Sequence, residues 1–448
     1  MRLLKVQLFV LTSLTVLNVF GQQGSAATKE FKYRRSSLTT ILIESDNFPK
    51  KDVVIQSYFN APFPDKYNDH SVGIKSFNPN KYKLTADEIA ALNKNKSGMA
   101  KLGASAMSEA SKSTGGIVDG DETTPVVINK FIQDNNLGNK LVAKWFNRNA
   151  DGGFNSDLIA ERGLFDASFL DTKKAQASSD GAALLKSSGF DLIENTFVVF
   201  TKMNFVANEP VARAIRDAAK AAVVAKTTNA FLQKKALAAL DLAYEKGKEG
   251  YSVWTTSYLY KLRWNDSISN VFYTDYYMEN SSLDPKKKAA FDNSKIFKLE
   301  FIGQQRSTSL VLFSFKNRTE EQIINLATTR NIDNVFAKLQ KTYEVFRPRI
   351  PLFTGNPITA KIGTKEGLTG GEKFEVLEWT MDPKTGKGSY IKKGKIKVDK
   401  NLIWDNRFNL ADGPIETDTA KVKAPVLDRT TFKGGSKYYS GLLIKQIK

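Results

Sequence analysis

Apolar positions recur along the chain in two rhythms, one of period two and one of helical spacing. Residues 38–44 (LTTILIE) are short, apolar and β-branched, as a buried strand is. Across residues 127–146 the apolar side chains, from Val127 and Ile128 to Trp145 and Phe146, keep helical spacing. Asn135, Asn136 and Gly138 interrupt them, which predicts two short helices. Residues 175–188 predict a further helix with Gly189 as its stop. Residues 196–206 (TFVVFTKMNFV) form the clearest strand. Asn208 then caps a helical region that tolerates Pro210 in its first turn. That region runs to about Gly247, is dense in Ala, Leu and Lys, and breaks around Thr227-Thr228-Asn229.

Residues 251–264 alternate. Trp254, Thr256, Tyr258, Tyr260, Leu262 and Trp264 share one face; Val253, Thr255, Ser257 and Leu259 share the other. The aromatic face reads as core, with sugar or base stacking as the competing use. Residues 296–302 and 308–315 predict a strand pair around Gly303, and Thr319 with Gln322 matches a capping box that opens a helix to about Tyr343. Residues 347–351 (RPRIP) read as a linker, after which short strands and Gly/Lys turns take over. The expected fold class is α+β. A mixed α/β body, 31–345, holds a predominantly antiparallel sheet with flanking helices, and a small all-β barrel-like module follows, 350–448. A further division near residue 200 stays open. Residues 93–124, rich in Lys, Ser, Gly and Ala with few large apolar side chains, are expected to be a mobile excursion.

The N-terminus changes the compartment. Arg2 and Lys5 precede an apolar run over residues 6–20, and Val19-Phe20-Gly21 suits a signal peptidase. The expected leader is 1–21, with Gln22 as the first mature residue and a second cut before Thr28. The run is about 15 residues, short of the ~20 that cross a hydrocarbon core, so a retained anchor is disfavoured and no transmembrane segment is expected in the mature chain. The formal charge of +19, less the two of Arg2 and Lys5, leaves +17. That balance attracts anionic surfaces such as acidic glycans or lipids, although the lysines are spread out as on an ordinary solvated surface. No specific nucleic-acid motif is found. There is no cysteine, hence no disulfide, no thiolate nucleophile and no cysteine metal site. With the leader, this suits the periplasm or cell surface of a Gram-negative bacterium.

The C-terminal segment carries Ile362-Gly363-Thr364-Lys365-Glu366-Gly367-Leu368, then Gly370-Gly371-Glu372-Lys373-Phe374-Glu375-Val376, and later Gly394-Lys395-Ile396-Lys397-Val398. Gly367, Gly370 and Gly371 permit turns of positive φ, while Phe374 and Val376 point to the side opposite Glu375. This pattern resembles the small β-barrel modules of envelope-assembly proteins such as the flagellar assembly protein T family, over about a quarter of the chain. The resemblance implies an accessory or assembly role in the envelope. The module's core is expected to include Phe374, Val376, Leu377, Ile396, Val398 and Trp404. Its Lys392, Lys393, Lys395 and Lys397 are expected to be exposed, giving weak, salt-screened attraction to anionic surfaces.

Catalytic chemistry is thinly represented. His70 is the one histidine, in a polar stretch (YNDHS) with no triad motif, and reads as an ordinary surface or hydrogen-bonded side chain. There is no phosphate-binding or dinucleotide glycine loop. Residues 147–158 (NRNADGGFNSDL) put oxygen side chains at positions 1, 3, 5 and 9 of a calcium loop, with glycine at 6. Leu158 occupies the place of the bidentate Glu, so an Asn/Asp/Gly turn is preferred to a calcium site. No catalytic, cofactor or metal residue is assigned and no cofactor is expected. The expected function is a non-catalytic exported envelope binding or assembly/scaffold protein, with an unknown envelope protein or an anionic surface glycan or lipid as partner. The alternative is a secreted carboxylate-dependent hydrolase of glycans, using the aromatic residues near Trp254.

Overall fold

The computed structural model of the protein describes residues 34–89, 123–166, 191–312, 319–381, 388–407 and 427–447. The expected leader, nearly all of the 93–124 excursion and the 175–188 helix lie outside them. In chain order the sheet region runs β1 (Ser37–Ile43), α1 (Lys51–Phe59), β2 (Asn68–Asp69), β3 (Ser76–Phe77), α2 (Thr123–Asp134), α3 (Leu137–Trp145), α4 (Asp157–Asp166) and β4 (Thr196–Ala207). It continues with α5 (Asn208–Lys226), α6 (Ala230–Gly247), β5 (Gly250–Leu262), α7 (Asp266–Val271), α8 (Pro285–Asn293), β6 (Leu299–Leu312) and α9 (Glu320–Thr342). The barrel strands are β7 (Ile350–Gly355), β8 (Ile358–Ala360), β9 (Lys373–Met381), β10 (Gly388–Val398), β11 (Thr430–Lys433) and β12 (Leu443–Ile447).

The sheet is mixed, in the order β2-β1-β4-β5-β6, with β3 also on β1. β1 pairs in parallel with β2, β3 and β4, and the long β4–β5 and β5–β6 ladders are antiparallel. Alternation sorts side chains to two faces. Ile41, Ile43, Val198, Phe200, Tyr258, Tyr260 and Leu262 pack against α2, α3 and an aromatic cluster of Phe146, Phe154, Trp264, Phe272, Phe291 and Phe297. Leu38, Leu42, Phe197, Val199, Met203, Val253 and Leu259 pack against α1 and α9. The aromatic face of β5 is therefore core at Tyr258, Tyr260 and Trp264, with Trp254 half-buried.

α9 starts where its capping box predicts: the Thr319 hydroxyl accepts from Gln322 N, and the Gln322 carboxamide accepts from Thr319 N at 3.0 Å. It then buries Ile323, Ile324, Leu326, Ile332, Val335, Phe336 and Leu339, each worth about 1.5–3 kcal/mol when fully removed from water. One expectation changes here. The strand pair around Gly303 is one strand, β6, with a bulge at Gly303 (φ 152°) where the register against Leu259 and Tyr260 shifts. The Tyr343 hydroxyl occupies the space a Cβ at Gly303 would need and donates to Gln304 O at 2.9 Å, so the glycine marks a close approach, not a turn. The Asn208 side chain accepts from Ser252 Oγ at 2.8 Å and donates to Glu249 O, joining the end of β4 to the start of β5.

The six C-terminal strands close a barrel in the order β10-β11-β8-β7-β12-β9. Phe374, Val376, Ile396 and Val398 lie in its core with Ile350, Leu352, Phe432 and Ile444. Leu377 does not join them. It packs outward with Leu443 and Tyr390, where Tyr390 accepts from Arg35 Nε at 3.0 Å, and Trp404 is half-buried on a loop. The segment expected as a linker is tied down. Arg347, buried, donates to Gln340 O and Lys341 O at the end of α9 and to Gln446 O of β12, satisfying carbonyls that a helix end leaves unpaired.

Candidate functional site

His70 was expected in a polar loop and is fully buried. Its Nε2 lies 2.9 Å from Leu141 O and its Nδ1 2.9 Å from Nη1 of Arg162. Arg162, on α4, also donates to Ser37 Oγ and Asp69 O, and its guanidinium lies 4.7 Å from the Trp145 ring centre. The His70 and Trp145 rings are 4.7 Å apart, and Trp145 Nε1 donates to Thr196 Oγ1. Burial, with the Arg162 charge second, holds the His70 pKa well below its ordinary range. The ring is a neutral rivet joining β1, β2, α3 and α4. Its two ring nitrogens are taken up by Leu141 O and Arg162 and neither meets a serine, so its geometry is architectural.

The 147–158 loop spends its side chains on its own turn. Asn149 Oδ1 accepts from Gly153 N, Asn155 Oδ1 accepts from Asp157 N and from Asn147 Nδ2, and Asn149 donates to Asn280. Among the described residues no group of three His, Cys, Asp or Glu side chains is placed to hold a metal ion. On the barrel, Lys392 and Lys393 pair with Glu375 and Glu378, and Lys395 and Lys397 are exposed.

Two clefts of the described residues open to solvent. One of about 160 Å³ lies under α1, lined by Tyr58, Phe59, Phe63, Asp69, Ser71 and Lys75, below the ~300 Å³ at which ligand pockets begin. Its Asp69 carboxylate is engaged by Ser71 N and Oγ. A second, open groove between α1 and α9 contains Asp52 and Glu321, both exposed, and Lys50 pairs with Glu321. The described carboxylates whose pKa burial raises, Asp191 and Asp333, lie in neither; Asp333 is the one at the barrel. It faces Lys365 at 3.5 Å where α9 meets the barrel, and that lysine partly offsets the rise.

The α5–α6 pair is different in kind. β4 and β5 are adjacent antiparallel strands paired from Phe197–Lys261 to Ala207–Tyr251. A two-residue turn suffices to join such strands, yet the chain spends residues 208–249 there. Asn229 splits them into a hairpin, its carboxamide accepting from Phe231 N and Leu232 N. On one face the helices are cross-linked: Lys220 pairs with Asp241, Arg216 stacks on Tyr244, and the Tyr244 hydroxyl donates to Glu209. None of the described side chains from Glu209 to Glu249 is buried, although Ile215, Val224, Phe231, Leu232 and Leu242 are among them and Phe231 is 75% exposed. The sequence showed two helices here; what it did not show is that they leave the core. A helix rich in apolar residues on all sides ordinarily marks burial.

Compared with known proteins, the chain matches no family model and no curated sequence. Among the described residues no helix is long and apolar enough to cross a membrane.

Proposed function

We propose that the protein is an exported, non-catalytic binding or assembly component of a Gram-negative cell envelope, and that it works through the α5–α6 arm. The arm carries this reading. None of its described side chains from Glu209 to Glu249 is buried, so its length and apolar character serve something outside the sheet. Export is supported by the basic, apolar and small-residue succession of the first 21 residues. The hydrolase reading has less behind it: a glycosidase sets two carboxylates across a cleft, and the groove with Asp52 and Glu321 is open to water.

The test replaces residues 209–249 by Asn-Gly, a turn that keeps Asn208 and Gly250 and closes the ladder one pair beyond Ala207–Tyr251. The armless protein should melt within a few degrees of the parent, because no buried contact between Glu209 and Glu249 is lost. It should also be exported and processed at Gln22, yet no longer co-fractionate with the envelope. An armless protein that stays with the envelope as the parent does would remove the arm from the function.

A further inference from the structure

We infer that the arm is a self-association device: two copies of this chain pair through α6 in antiparallel register to make a four-helix bundle. The inference rests on the proposal that the arm is the working surface and names its partner. α6 carries apolar side chains on every side. At 100° per residue, Leu237 and Leu240 turn toward α5 and are half-covered, Leu232 and Ala239 lie on one flank, and Phe231 and Leu242 point away from α5. α5 adds Ile215, 66% exposed, to the same flank, while the Lys220–Asp241 pair marks the opposite, polar face. A helix patterned in this way belongs at the centre of a bundle, and a hairpin supplies half of one.

Charge selects the occupant. Lys234 and Lys235 lie in the first half of α6; the second holds Lys246, Asp241, which pairs with Lys220 on the far face, and Glu245, whose partner within the chain is Lys248. An antiparallel crossing at Ala238–Ala239 brings Lys235 within one turn of Glu245 of the second copy, twice over by symmetry. The alanines at the crossing let two backbones approach closely, which suits a helix partner. They bury little in lipid, which suits a membrane less well. The face is about 27 Å long and about 20 Å wide, roughly 540 Å² in projection, about two-thirds of the ~800 Å² per partner that a standard interface buries.

Sedimentation of the mature full-length chain at tens of micromolar tests the pairing. The parent should sediment as a dimer. Phe231→Glu with Leu242→Lys should weaken it by more than about tenfold while leaving the melting temperature unchanged, since neither side chain touches the body. Lys234→Glu with Lys235→Glu should weaken it, and adding Glu245→Lys should restore it. Because the chain has no cysteine, Ala238→Cys should yield a disulfide-linked dimer under mild oxidation and Val224→Cys should not. A monomeric parent overturns the pairing, and so does a dimer indifferent to these changes. A monomer that instead binds phosphatidylglycerol vesicles through the arm also overturns it, in favour of lipid. If the parent is monomeric but envelope association still depends on the arm, the pairing fails and the arm's role stands. If the armless protein stays in the envelope, the role itself fails.

Discussion

Nη1 of Arg162 donates to Nδ1 of His70 at 2.9 Å, and this one contact fixes the state of the ring. A guanidinium has no acceptor, so Nδ1 carries no proton and Nε2–H points at the Leu141 carbonyl. The imidazolium form would place two cations side by side in the core.

Stability should therefore fall as pH drops below about 6.5. The unfolded chain takes up a proton at His70 there, while the folded chain, its pKa well depressed, does not. The depressed value means the loss begins at the unfolded pKa and continues down toward the folded one. The slope contributed is up to about 1.4 kcal/mol per pH unit. Denaturant titrations from pH 7.5 to 5 should show it, and His70→Asn should flatten it while lowering stability at pH 7.5. Equal slopes for parent and variant would mean that His70 protonates in the fold.

Gly303→Ala should cost about 1–3 kcal/mol, because the new Cβ would lie 2.2 Å from the Tyr343 hydroxyl oxygen. Combined with Tyr343→Ala, the loss should be smaller than the sum of the two single losses. Additive melting shifts would separate the glycine from the tyrosine.

Asp405 gives an acid-range signal in the barrel. Arg407 binds it through Nε and Nη2 and Thr364 Oγ1 donates to it at 2.6 Å, and the arginine first among these holds its pKa down to about 2 from 3.8. The stabilisation is complete above about pH 4.5 and is lost as pH falls through about 2. Asp405→Asn should lower the melting temperature at pH 5 and make little difference at pH 2. A variant that melts below the parent by the same margin at both pH values would contradict this.

Residues 346–448 expressed alone should fold cooperatively, because the barrel has its own closed strand set and core. The melt should come below that of the full chain, since Arg347 loses its α9 carbonyls, Lys445 loses Glu344 and Lys365 loses Asp333. Unprotected amides in hydrogen exchange would show that the contacts with α9 are required for folding.

Local signals were readable wherever the cause was local. The Thr319–Gln322 box, the Asn229 break and the alternation of β5 each depend on residues within a turn or two. Features set by distant residues were not. Gly303 resembles a turn until Tyr343, forty positions on, is placed against it. His70 sits among polar neighbours, and its burial comes from Arg162 and Trp145. Arg347 lies between residues that suggest a flexible joint, and its partners are carbonyls, which no side-chain pattern reports. Leu377 breaks the alternation of β9 because it faces the body beside Tyr390. For the candidate site, the helices of the arm were legible, but exposure is a property of the whole packing. Apolar spacing alone reads as core.

The base of the arm also decides how the molecule bears mechanical load. A pull on the α5–α6 tip along the strands draws the end of β4 and the start of β5 the same way, so the β4–β5 ladder is not unzipped. The strain falls on their outer neighbours, β1 along Ser37–Ile43 and β6 along the length of β5. The hydrogen bonds of those ladders lie across the direction of pull and share it all at once. Tension on the arm is therefore met by shear, and the helices should yield before the root does.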